Sequence, residues 1–175
     1  ALNLACCEQL SQDVYEYICE SMVDVKARLA ETENVMLADS CADIVYLADT
    51  YGALSAEKAS CLVKLFRYEL VCVQKCVNVK IGFHAHNNLG DGVTKTISAL
   101  DAGATFLDST ISGLGRGAGN VSTENLLIAL HRKFRTSEED VLAKLEVLML
   151  FRDEHIMPFS NFPFNVRLQY GPAPL

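Results

Sequence analysis

His84 and His86 stand one residue apart in IGFHAHNNLGDG, residues 81–92. Side chains alternate along a β-strand, so in a strand both imidazoles point to one face; on a helix they would diverge. The preceding KIGF run favours the strand. The pair closes that run just before a loop, at the edge where parallel α/β folds place their active sites. Two imidazoles on one face can chelate a single divalent cation there. A bare H-x-H is read equally well as two hydrogen-bonded core histidines, and the strand-end position favours the metal.

A second string, STISGLGRGAGN at residues 109–120, carries Gly113, Gly115, Gly117 and Gly119. Such a loop permits close backbone approach to a ligand, and its exposed amides could receive a carboxylate or phosphate. The plainer reading is a flexible connector. No G-x-G-x-x-G occurs, which argues against a dinucleotide site. Asn120 offers an amide oxygen toward the same strand-end face. Arg116 could hold an anionic substrate or be an ordinary loop arginine. In LADTYG, Asp49 and Thr50 leave a strand and could bind a substrate hydroxyl or a water on a metal. A turn with Asp49 as a cap explains them equally well. His131 and His155 have no such context and read as surface residues.

The elements that must position these groups alternate. Strands are expected at Ala1–Cys6, Ile44–Ala48, Val79–Ala85 and Thr105–Ile111, each followed by a helix. Short apolar runs of this kind suit parallel strands covered on both faces. Ala59, Leu62, Val63, Phe66 and Leu70 form one helical face, with Ser55 as its cap. Val93, Ile97 and Leu100 line another, with Gly103 at its C-terminal end. Ser122 opens a third helix. Thr136 and Glu139 have capping-box spacing ahead of a fourth that runs to about Glu154. All four prolines fall in the tail from Met157 on. Strands alternating with helices indicate an α/β fold with a parallel sheet.

Composition narrows the function class. The chain has 175 residues, half of them apolar and 21% charged, which excludes a disordered segment. No run approaches the roughly 18 apolar residues of a membrane helix. The net charge of −7, with no basic patch, argues against nucleic acid as a partner. Cys6, Cys7, Cys19, Cys41, Cys61, Cys72 and Cys76 include no C-x-x-C and read as reduced thiols of a cytosolic or organellar protein. No signal peptide is visible, and the chain begins with Ala, as after processing or trimming. It is also shorter than the roughly 250 residues of a complete (β/α)₈ barrel.

LADTYG, GFHAHNNLG and LDSTISGLGRGAGN, in this order and spacing, resemble the DRE-TIM metallolyase family. Its members are (β/α)₈ barrels and include 4-hydroxy-2-oxoacid (pyruvate) aldolases, 3-hydroxy-3-methylglutaryl-CoA lyase, and the isopropylmalate and homocitrate synthases. The resemblance covers Ala42 to Leu130. It implies that ALNLA, IVYLADT, the run ending in HAH, and TFLDSTISGLG are barrel strands five to eight. Residues 1–135 would then be a half barrel, and residues 136–175 a C-terminal helix and proline-aromatic tail.

By the same resemblance, His84 and His86 would hold a divalent cation, with Asn120 as a further ligand. The ion would be Mn²⁺ or Mg²⁺, with Zn²⁺ or Co²⁺ as alternatives. Asp49, Thr50, Gly115, Arg116 and Gly117 would bind a small 2-oxo acid. The R-D motif that supplies the family's metal-binding Asp on the first strand does not occur ahead of these strands, nor does the aldolases' catalytic His. The first four strands are therefore expected to be missing, and the general base is unassigned. No Cys lies between Gly113 and Asn120, which disfavours the CoA lyase; G-R-G-A-G-N is closest to the aldolases. The expected activity is a metal-dependent carbon–carbon lyase of 2-oxo acids, belonging to the parent protein, cytoplasmic, and associating through exposed barrel edges or as a homo-oligomer. A Claisen-type synthase using acyl-CoA is the alternative enzyme. A non-catalytic fragment, or a metal-binding module that needs a partner half, is the alternative of another class.

Overall fold

The computed structural model describes residues 2–4, 43–68, 70 and 78–159. Strands β1 (Leu2–Leu4), β2 (Ile44–Asp49), β3 (Lys80–Ala85) and β4 (Phe106–Leu107) lie side by side in chain order, and every neighbouring pair is parallel. Parallel neighbours need a crossover. Helix α1 (Ala56–Arg67) leads from β2 toward β3, and α2 (Gly92–Ala102) joins β3 to β4. Helices α3 (Thr123–Phe134) and α4 (Glu138–Phe151) follow. The α/β class with parallel strands is thus the one expected. No helix among the described residues is long and apolar enough to cross a membrane.

Alternation along β2 and β3 separates two faces. Val45 and Leu47 of β2 join Ile81, Phe83 and Ala85 of β3 in one apolar core with Ala59, Val63 and Phe66 of α1 and Ala99 and Ala102 of α2. Burying Phe66 and Phe83 contributes about 1.5–3 kcal/mol each. The opposite face carries Tyr46 and Ala48, level with Gly82 and His84, and then Phe106, level with Gly82. Those strands are therefore not continuous apolar runs covered alike on both sides. One face packs under helices and the other presents a tyrosine, a histidine and the 36% exposed Phe106.

Local capping explains most boundaries. Ser55 Oγ accepts the Lys58 amide and starts α1, and Ser122 Oγ accepts the Asn125 amide and starts α3. Gly103 ends α2 at φ 109°, a left-handed conformation suited to glycine, and passes its amide to Leu100 O. Four expectations need correction. The fourth strand was expected over Thr105–Ile111 and spans Phe106–Leu107. Asp108 N still donates to Phe83 O, but Thr110 turns to the returning loop and donates to Val121 O. Helix α4 is capped by Ser137, not Thr136, because the Thr136 hydroxyl is paired with His131 Nδ1 at 3.1 Å. The α-helix ends at Phe151 and passes into a π turn at Arg152–Ile156. The buried face of α2 holds Lys95, Thr96 and Ala99, rotated from the expected Val93–Ile97–Leu100 stripe. Of the cysteines, Cys61 is described, and it is exposed. The other cysteines, Ala1, Ala5 and Cys6 of the expected first strand, and tail residues 160–175 lie outside the described residues.

Candidate functional site

β3 delivers His84 at its end and His86 just beyond it, and their rings meet edge to face with centroids 5.0 Å apart. Each ring is oriented through Nδ1. His84 Nδ1 lies 3.1 Å from Asp108 Oδ2, and His86 Nδ1 lies 2.9 Å from the main-chain oxygen of Asp49. A carbonyl oxygen can only accept, so His86 donates from Nδ1, and in the neutral ring that tautomer puts the lone pair on Nε2. A carboxylate partner does the same for His84. This is the arrangement of metal-ligating imidazoles, whose second nitrogen is held by a carboxylate or carbonyl.

The glycine loop brings Asn120 beside them. Asn120 bridges His86 backbone to backbone, and Asn87 N donates to Gly119 O at 2.9 Å. Asn120 Nδ2 donates to Leu114 O at 3.1 Å. Only the amino group can face that carbonyl, so the assignment of the amide's two ends is fixed. Asn120 Oδ1 is buried and has no hydrogen-bond partner among the described residues. A buried amide oxygen without a donor is costly unless something else meets it. By type, two imidazole nitrogens and an amide oxygen suit a first-row divalent ion. Among the described residues, no group of three His, Cys, Asp or Glu gathers to hold a metal by itself.

The remaining candidates divide. Gly115, Arg116 and Gly117 form the exposed crown of the loop. The amides of Gly113, Leu114, Gly119 and Asn120 are engaged within it. Gly113 N donates to Thr110 O and Asn120 N to Gly113 O. Glu124 holds the loop's base: its carboxylate accepts the Ser112 amide at 2.9 Å and the Ser122 hydroxyl at 2.6 Å. Burial raises the Glu124 pKa, but the hydrogen bonds from Ser122, its own amide and Ser112 outweigh it and hold the carboxyl below its ordinary value. Asp49 is fully buried. Its Oδ1 accepts the amides of Ala53 and Leu54, and its Oδ2 the Lys95 ammonium at 2.7 Å. Of the two readings open for Asp49, the turn is the one these bonds build, and the residue reaches the site through its main-chain oxygen. Thr50 is partly buried and donates a long bond, 3.5 Å, to Ala48 O.

Three residues of this neighbourhood escaped sequence reasoning. Asp108 stands two positions past Phe106, at a strand end inside a string already singled out. The Tyr46 pKa is raised, first by burial and then by the charge and hydrogen bond of Asp108, which places its hydroxyl on that carboxylate. Its ring crosses Gly82, where a Cβ would overlap it. Lys95 sits on an apparently apolar helix, and nothing in the helical period announces a buried ammonium.

The HMGL-like family model matches residues 4–149. A 4-hydroxy-2-oxovalerate aldolase of Roseiflexus castenholzii is 40% identical over 142 residues, 81% of this chain and 40% of that relative. An oxaloacetate decarboxylase of Mycobacterium tuberculosis is 39% identical over 122 residues, 67% of this chain and 34% of that relative. Among solved structures, the N-terminal domain of a candidate aldolase from Bacteroides vulgatus superposes with a TM-score of 0.51 at 28% identity, over 73% of this chain and 43% of that one. The carboxyl transferase domain of Rhizobium etli pyruvate carboxylase gives a TM-score of 0.51 at 18% identity, over 77% of this chain and 20% of that one, a likeness of fold. The chain spans about 40% of the length of the aldolase relatives it matches. The family model accounts for the greater part of the sequence, including both histidines and the glycine loop, and the chain belongs to the HMGL-like family.

Proposed function

We propose that this chain supplies one side of the active-site rim of a divalent-metal-dependent aldolase that cleaves 4-hydroxy-2-oxo acids to pyruvate and an aldehyde. The observation that carries the reading is the pair of imidazoles, each tied at Nδ1, beside Asn120 Oδ1, which meets no hydrogen-bond donor among the described residues. His84 and His86 would hold the cation through Nε2 and Asn120 through Oδ1. A cation held by these residues would supply Lewis acidity, stabilising negative charge that develops on a 2-oxo acid as its carbon–carbon bond breaks. The exposed crown of Gly115, Arg116 and Gly117 stands at the same edge and would receive the substrate's anionic end. Asp49 and Thr50 serve this side by shaping the turn after β2, whose carbonyl orients His86.

The strands run parallel in chain order, and the face opposite the apolar core carries Tyr46, His84 and Phe106. Together with the 40% span of the aldolase relatives, this supports reading them as strands five to eight of a barrel whose other strands bring the remaining ligands and the general base. Relatives named as aldolases favour aldol cleavage over the Claisen-type alternative. The test is pyruvate release from 4-hydroxy-2-oxovalerate by a complete barrel containing this chain, with Mn²⁺ present or chelated and His84→Ala as control. Release that needs the metal and is lost in His84→Ala is expected. No release with Mn²⁺ present would overturn the aldolase reading.

A further inference from the structure

Behind His86 lies a buried ion cluster that no step of the proposed chemistry uses. The Lys95 side chain and that of Asp49 are both fully buried, with Nζ 2.7 Å from Oδ2. Nζ also donates to Gly52 O at 3.0 Å. Asp91 Oδ1 lies 3.0 Å away, an ion-pair contact outside hydrogen-bond geometry. Three oxygens, from the end of β2 and its turn and from the residue before α2, thus surround one ammonium. A buried ion pair is at best weak support for stability, because desolvation opposes the attraction. Its placement suggests another role.

Each oxygen belongs to a segment bordering His86. Asp49 closes β2 and Gly52 lies in the turn after it, and Asp91 is the residue before α2 in the loop that follows His86. The two loops touch directly: a Cβ on Gly52 would come within 2.9 Å of Asn88 Cβ. Asp49 connects cluster and ring. Its carboxylate binds Lys95 and the amides of Ala53 and Leu54, while its main-chain oxygen accepts both Gly52 N at 3.1 Å and His86 Nδ1 at 2.9 Å. We propose that Lys95 is a positioning residue for His86: by clamping the turn after β2 to the start of α2, it holds the Asp49 carbonyl against Nδ1 and so fixes the tautomer and aim of Nε2. His84 is oriented separately, by Asp108 just past β4.

The inference rests on the metal reading only for what Nε2 would bind; the tautomer itself can be measured without metal. Lys95→Met leaves the Asp49 carboxylate buried without its counter-ion and risks unfolding. The decisive variant is therefore Lys95→Met with Asp49→Asn, which removes both charges and keeps an acceptor for Ala53 and Leu54. Imidazole nitrogen NMR of the metal-free full chain reads the tautomer of each histidine. The folded double variant is expected to show mixed tautomers at His86 and an unchanged His84, with Co²⁺ affinity about 10–100-fold weaker. A folded double variant that keeps the wild-type His86 signature would overturn the proposal, as would equal loss at both histidines, which indicates general loosening. A wild-type chain with no Co²⁺ affinity would overturn the metal reading and leave the tautomer comparison to decide Lys95.

Discussion

His84 and Asp108 are joined across neighbouring strands, Nδ1 to Oδ2 at 3.1 Å, with the imidazole about one-quarter exposed and the carboxylate less than half. The contact couples the end of β3 to the backbone just past β4, where Asp108 N still donates to Phe83 O. Asp108 is thus held by its own main chain while its side chain holds the ring. Tyr46 reaches the same carboxylate from β2. One acidic residue therefore ties three strands together at the face that carries the site.

Removing that carboxylate should loosen His84 without moving His86. Asp108→Ala is expected to weaken Co²⁺ binding about 10–100-fold. Asp108→Asn keeps an oxygen for Nδ1–H and should lose less. Calorimetric titration of both variants checks this. Equal losses would mean that charge, not orientation, is what Asp108 provides.

The Tyr46 ring lies across Gly82 because glycine presents no side chain there. Gly82→Ala must displace the ring, and overpacking of this kind costs about 1–3 kcal/mol. It should also part the hydroxyl from Asp108. A raised folded-state pKa means that the Tyr46 contribution to stability is present below its ordinary value of 10.0 and is lost as pH rises through the folded value. The tyrosine titrating late in wild type should therefore titrate earlier in Gly82→Ala and vanish in Tyr46→Phe. Ultraviolet tyrosinate titration of the three proteins decides it.

Periodicity carried the fold and the strand-end location carried the site, each for a physical reason. Ala59, Val63 and Phe66 are fully buried because a helix repeats its face every few residues. His84 and His86 share a face because strands alternate. What stayed hidden depends on contacts between distant segments. Asp49 and Lys95 are 46 positions apart, and neither announces its partner. Asp108 looked like part of an apolar strand until the early turn at Thr110 left it at the edge beside His84. The Thr136 cap failed for the same reason, since His131, from the preceding helix, takes its hydroxyl.

The base of the glycine loop is expected to be acid-sensitive. Glu124 has a folded-state pKa below its ordinary value of 4.5, so its stabilisation is present above that value and lost as pH falls through the folded one. Glu124→Gln should lower stability at neutral pH through weaker bonds to Ser112 and Ser122. The gap between wild type and variant should then close as the pH is lowered past the carboxylate range. Urea unfolding at a series of pH values gives the curve; a constant gap would show that the charge of Glu124 does not matter.

Asn120 offers the most selective handle on the donor set. A Cβ on Gly115 would stand 2.6 Å from Asn120 Nδ2 and 2.9 Å from its Cγ, so Gly115→Ala must push the amide aside. The loop otherwise keeps its own ties, Asn120 N to Gly113 O and Gly119 N to Arg116 O. The fold should therefore survive while Oδ1 moves. If Asn120 Oδ1 is a ligand, Gly115→Ala and Asn120→Ala should weaken Co²⁺ binding by similar factors, and combining them should add little, since sites sharing one interaction are not additive. Independent, additive losses in a titration of the three variants would remove Asn120 from the ligand set and leave its buried oxygen to be met by solvent.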